Sequence, residues 1–150
     1  MKRRDFIKGA LLSTAVVAAS AGKIFAEAGG QHGGMDMNRL KNPESPSALE
    51  QKHVPGIDAP ATVKSGEWFD VRVKVGFMQE HPSTSGHWIT MIKLLADGNE
   101  VAETDFKSGG ISAPYATFRI RLEKSSTIEA VENCNLHGAW ASQPVSITVS

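Results

Sequence analysis

The chain has 150 residues, enough for one domain, with 16 basic residues against 16 acidic ones. The balance is uneven along the chain. The first 26 residues hold five of the basic residues and one acidic residue, which leaves 11 against 15 in the remainder. That net negative remainder argues against nucleic acid or an anionic membrane surface as partner. A single cysteine, Cys134, excludes an internal disulfide, and in an exported protein an unpaired thiol calls for an occupant such as a metal.

Residues 1–26 have the form of an export signal. Arg3 and Arg4 are followed by Phe6, Ile7 and Lys8, and then by an apolar run from Ala10 to Ala21 broken only by Ser13, Thr14 and Ser20. The run is too short for a comfortable membrane span. Small residues follow, and both 19–21 and 26–28 offer cleavage sites. The segment resembles a twin-arginine signal peptide. It places the functional domain outside the cytoplasmic membrane, in the periplasm, or anchored to the membrane if the signal is retained. Twin-arginine export carries folded proteins, often with a cofactor already inserted, which suits a site that needs a reduced metal and a reduced thiol.

Residues 27–47 are rich in Gly, Pro, Asn and Ser without apolar periodicity, and read as a flexible linker. Within them 32–37 (His-Gly-Gly-Met-Asp-Met) reads as incidental composition, because its glycines preform no site. From residue 48 to 150 the chain reads as one all-β domain. Residues 67–77 alternate, with Val71, Val73, Val75 and Phe77 on one face and Asp70, Arg72 and Lys74 on the other. Residues 88–96 form a more apolar strand, Asp97-Gly98-Asn99 a turn, and 100–106 its partner. Residues 115–122 alternate again, with Phe118, Ile120 and Leu122 inward. Strands at 61–64, 127–132 and 144–149 bring the number to about seven, with no capped helical stretch. That pattern predicts an antiparallel β-sandwich of immunoglobulin type, without the cysteine pair of antibody domains.

Four of the five histidines and the only thiol fall on loops at predicted strand ends: His53, His81, His87, Cys134 and His137. Cys134-x-x-His137 lets one tight turn present two donors to one metal. Four imidazoles and a thiolate exceed the four ligands of a closed zinc site. They suit octahedral iron with one position open to a small molecule. Backbone N–H groups of Leu136 and His137 are placed to donate to the Cys134 sulfur and so to tune a redox potential. A blue-copper carrier would use two histidines, a cysteine and usually a later methionine, but no methionine follows Met91. A noncatalytic sandwich with a structural metal is the alternative from another class.

Three segments, 52–55 (Lys-His-Val-Pro), 81–89 (His-Pro, four residues, His-Trp-Ile) and 134–140 (Cys-Asn-Leu-His-Gly-Ala-Trp), resemble in order the signatures of the superoxide reductases, the family of neelaredoxin and the iron-binding domain of desulfoferrodoxin. The resemblance runs from about 50 to 150. It implies an immunoglobulin-like sandwich holding one non-haem iron, with His53, His81, His87 and His137 equatorial and Cys134 axial. It implies one-electron reduction of superoxide to hydrogen peroxide in oxidative-stress defence, with dismutation on the same iron as the alternative. Lys52 would sit beside the open position, attract superoxide and help deliver a proton. An external donor, a rubredoxin-like protein or a cytochrome, would supply electrons, and a homo-oligomer is expected. The family usually has Glu-Lys-His, its glutamate binding oxidised iron. Here Gln51 takes that place and Glu50 lies one residue earlier, so either Glu50 reaches in or water caps the oxidised metal. With one cysteine there is no second, four-cysteine iron site.

Overall fold

The computed structural model describes residues 37–150, and the signal-like segment, with most of 32–37, lies outside them. The elements run α1 (Ala48–His53), β1 (Pro55–Asp58), β2 (Thr62–Val63), β3 (Phe69–Val75), β4 (Ile89–Ala96), β5 (Asn99–Asp105), β6 (Tyr115–Ile120), β7 (Ser126–Cys134), β8 (Gly138–Ala141) and β9 (Val145–Val149). They form two sheets. One has the order β1-β3-β6, and the other β2-β9-β7-β4-β5 with β8 also on β7. Every named strand pair is antiparallel except β2 with β9. The immunoglobulin-like sandwich expected from the strand pattern is the fold observed.

Alternation explains the core. Val71, Val73 and Val75 are fully buried from β3, and Ile92, Leu94, Phe118, Ile128, Ala130 and Ile147 meet them from the other strands. Branched side chains on a pleated surface pack this way, and truncating a fully buried one such as Ile92 to alanine costs about 2–5 kcal/mol. The Asp97-Gly98 turn joins β4 to β5, with φ of 50° and 78° at the two residues, as a tight hairpin requires. The expected strand at 67–77 is shorter: it stops at Val75, so Phe77 lies beyond it and is only half-buried.

Three elements depart from the expected layout. The chain has a helix, α1, where none was expected. Its Ser47 side chain accepts from Glu50 N–H while the Glu50 side chain accepts from Ser47 N–H, a reciprocal capping box. Strand β1 pairs with β3 from Pro55 onward, so a strand stands between the helix and the expected 61–64 strand, of which Thr62–Val63 is formed. Strand β8 is four residues long and continues the sheet beside β7, collinear with β9. The count is therefore nine strands among the described residues rather than about seven. Residues 38–41, within the stretch read as linker, lie against the sandwich through a bridge from Asn38 to Trp140.

Candidate metal centre

Each donor is delivered by a different local device. His53 is the last residue of α1, and its Nδ1–H donates to Leu49 O one turn back at 2.8 Å. His81 follows a turn that depends on Gly76. At φ +86° a side chain is strained there, and a Cβ would lie 2.1 Å from Gln79 O. The turn brings His81 N–H to Val75 O at 3.3 Å, and the ring Nδ1–H donates to Pro82 O at 2.7 Å. Cys134 ends β7 and His137 is the last residue of the three-residue connection to β8, with Cys134 opposite Gly138 and Gly138 at φ +72°. That is the left-handed position such a hairpin demands.

His87 is held differently, since its ring forms no hydrogen bond among the described residues. Its N–H reaches Thr84 Oγ1 at 3.0 Å, and its carbonyl accepts from Thr84 N–H at 2.9 Å. Asn135 brackets it from the Cys134 loop: Asn135 Nδ2 donates to Gly86 O at 2.9 Å, and Trp88 N–H donates to Asn135 Oδ1 at 2.9 Å. Asn135 N–H adds a third bond, to Trp88 O at 3.1 Å. One side chain thereby grips both neighbours of a ligand.

The four imidazoles close into a ring. Centroids lie 4.7 Å apart for His53 and His81, 4.5 Å for His81 and His87, 4.9 Å for His87 and His137, and 4.6 Å for His137 and His53. The His53–His87 diagonal is 6.1 Å. Neighbouring rings stand edge to face. Cys134 Sγ lies 3.5 Å from His137 Nδ1, and His53 Nε2 lies 2.9 Å from the same atom. Donor atoms of His53, His87, Cys134 and His137 all fall within 4.8 Å of one another. His81 is outside that foursome, but its ring touches two of its members.

The electrostatics keep the donors available. Burial lowers the pKa of His53 and His87, and takes that of His81 down to about 4. Neighbouring rings and the charge of Lys52 push His53 and His87 the same way. These imidazoles are therefore neutral at pH 7. In His53 and His81 the hydrogen bond at Nδ1 leaves the lone pair on Nε2. Burial raises the Cys134 thiol, while hydrogen bonds from the Leu136 and His137 N–H groups pull it down, as the loop sequence suggested.

A metal fits this set. Nε2 of His81 and of His87 is buried without a hydrogen-bond partner among the described residues, a costly state that coordination relieves. Neutral imidazoles with one soft sulfur suit a transition metal. Iron would be held by Nε2 of His53, His81 and His87, Nδ1 of His137 and Sγ of Cys134.

The remaining expected residues divide. Lys52 is half-buried on α1, next to His53. Glu50 faces backbone: Oε1 accepts from Lys41 N–H at 2.8 Å and Oε2 from Ser47 N–H at 2.7 Å. These bonds hold its pKa below the usual carboxylate value. Gln51 turns away too, its Nε2 donating to Pro46 O at 2.9 Å.

Sequence reading missed three residues. Asn135 lies inside the Cys-x-x-His spacing, where only the donors drew attention. Trp140 stacks on His53 at 5.2 Å and 27°, and its Nε1–H donates to His137 O at 3.2 Å. Glu132 is wholly buried two residues before Cys134, both carboxylate oxygens without a hydrogen-bond partner among the described residues, and burial pushes its pKa up to about 9. Its place in an alternating strand was the available signal, because Ile128, Ala130 and Cys134 share its inward face.

Comparison with known proteins agrees with this geometry. A profile described as desulfoferrodoxin matches residues 45–143. A desulfoferrodoxin of Nitratidesulfovibrio vulgaris is 38% identical over 110 residues, covering 73% of this chain and 75% of that protein. A superoxide reductase of Pyrococcus furiosus is 31% identical over 110 residues, covering 62% of this chain and 86% of that protein. The solved structure of the superoxide reductase (neelaredoxin) of Ignicoccus hospitalis is 31% identical with a TM-score of 0.65, covering 76% of this chain and 95% of that one. The chain belongs to the desulfoferrodoxin family.

Proposed function

We propose that the protein is a superoxide reductase, an oxidoreductase that converts superoxide to hydrogen peroxide at one iron. The observation that carries it is the closed ring of four imidazoles beside a single thiol, with two ring nitrogens buried and unpartnered among the described residues. Membership of a family with superoxide reductases among its relatives supports it. When bound, iron supplies the single electron, and two protons complete the peroxide.

The chain's own residues do the rest. Burial keeps His53 and His81 neutral and water-poor, while half-buried His87 and His137 leave that side of the site reachable by a small anion. Cys134 Sγ gives up its proton on metal binding, and the Leu136 and His137 N–H groups steady the resulting charge. The Lys52 ammonium draws an anion toward a domain that is otherwise net negative. Lys52→Met should slow the reaction and flatten its dependence on ionic strength, read by stopped-flow at several salt concentrations. An unchanged rate and salt slope would remove Lys52 from the mechanism.

The stoichiometry tests the function. Iron-loaded, reduced protein given limiting superoxide should form one peroxide per superoxide, release no dioxygen and become oxidised. Half a peroxide with matching dioxygen would make it a dismutase. We also propose export through the twin-arginine pathway to the periplasm, supported by Arg3-Arg4 and the short apolar run. Electrons would come from an external rubredoxin-like protein or cytochrome, and the protein would work as a homo-oligomer. Cell fractionation and light scattering test location and assembly.

A further inference from the structure

The residues just before α1 join the site at two places. At one end Asn38 pairs with β8: its N–H donates to Ala139 O at 2.9 Å, and Ala141 N–H donates to Asn38 O at 2.9 Å. Its side-chain Nδ2 also donates to Ala139 O at 3.2 Å. At the other end Lys41 N–H donates to Glu50 Oε1. Between them Arg39 pairs with Glu129 at 2.8 Å. Residues 38–41 thus run from β8, which begins one residue after His137, to the helix that carries Lys52 and ends in His53.

Trp140 closes the loop, because it belongs to β8, stacks on His53 and bonds the His137 carbonyl. A helix of six residues has little stability of its own. It depends on its cap and on what it is tied to. Glu50 supplies the cap and the tie to the strap: one carboxylate oxygen receives the N-cap N–H and the other receives Lys41 N–H, while Gln51 O, accepting from Gln79 N–H at 3.1 Å, ties the helix separately. These are charge-assisted bonds to a buried side chain.

We propose that Glu50 is a positioning residue of the metal centre and not a ligand of the oxidised metal. It closes a strap, residues 38–41, that fixes α1, and with it Lys52 and His53, against the β8 arm carrying Trp140. The proposal rests on the reading of the site as an iron centre. Its positioning role is the one taken elsewhere by groups that orient ligands without touching metal, whose loss typically weakens metal binding about 10–100-fold.

The test uses the full chain loaded with iron, as wild type, Glu50→Ala, Asn38→Pro and the double variant. Three quantities are read: amide exchange at Lys41 and Ser47, the rate of iron loss to a chelator, and the visible absorption of the oxidised form. In Glu50→Ala both amides should exchange faster and iron should leave about tenfold faster. Asn38→Pro removes a donor at the far end of the strap without touching α1, and should accelerate iron loss similarly. The double variant should lose iron no faster than either single, since one unit is broken once. The oxidised absorption maximum should stay in place in both.

Unchanged iron loss in Glu50→Ala would overturn the proposal. So would an absorption shift in Glu50→Ala that is absent in Asn38→Pro, because it would put Glu50 on the metal. If Glu50→Ala does not fold, Asn38→Pro decides alone: iron loss at the wild-type rate overturns the strap. A wild type that takes up no iron would overturn the iron reading itself. That outcome is distinct from a wild type that binds iron and variants that hold it equally well.

Discussion

His53 and His81 are aimed by their own rings, and His87 is aimed by its neighbours. In the first two, Nδ1–H is bound to a carbonyl four residues back or one residue on, within the same short segment. His87 has no such bond, and its position is set by Thr84 within its loop and by Asn135 from the Cys134 loop. The difference is one of range. Two candidate ligands carry their orientation locally, while the third draws part of its support from a residue 48 positions away in sequence. A mutation that leaves every donor in place should therefore damage the His87 side first.

Removing a donor outright should erase this contrast and have the largest effect. His81→Ala, His87→Ala and Cys134→Ser should each abolish stoichiometric iron, measured on protein refolded with excess ferrous salt. A variant that kept full iron would take its residue out of the ligand set. Asn135→Ala comes next. It should weaken iron about tenfold, toward the low end of the range for such positioning groups because its bonds are solvent-exposed, and competition with a calibrated chelator reads the change. Asn135→Asp keeps the acceptor for Trp88 N–H and should recover part of the loss.

Glu132 extends the comparison to a buried group with no hydrogen-bond partner among the described residues. Its folded pKa is raised to about 9 against an ordinary value of 4.5. Between those values the unfolded chain has released the proton and the folded chain retains it, so the contribution of Glu132 to stability falls as pH rises through that window. The lowered histidines act in the opposite direction below about pH 6.5, so metal-free protein should melt at progressively lower temperature from pH 7 to pH 9. Glu132→Gln should flatten the slope, and an equally steep slope in the variant would assign the pH dependence to other groups. Thr84→Val should be the mildest change. It removes the hydroxyl bonds to His87 but leaves the backbone pair between the two residues, at a cost of about 0.5–1.5 kcal/mol. Thermal melts would read it, and a loss equal to that of Asn135→Ala would collapse the distinction between local and distant support.

Much of this was legible in the sequence, for physical reasons. Strands β3 and β6 announce themselves by alternation at Val71-Val73-Val75 and Ala116-Phe118, because one face of each is core. The five donors stand out because almost no other histidine or cysteine competes with them. Helix α1 was illegible by periodicity, as Ala48–His53 makes fewer than two turns. Its readable sign was the Ser47-x-x-Glu50 spacing of a capping box, which also explains why Glu50, weighed as a ligand, is spent on the backbone. Strand β8 is Gly-Ala-Trp-Ala, too short and too small for a pattern, and it forms only because β7 offers an edge. The Asn135 bracket joins two loops whose proximity is a property of the fold.

The most direct test of the central account is X-ray absorption at the iron edge on reduced, iron-loaded protein. The account predicts a first shell of one sulfur and four imidazole nitrogens. A shell without sulfur, or one with fewer than four imidazole nitrogens, would contradict it.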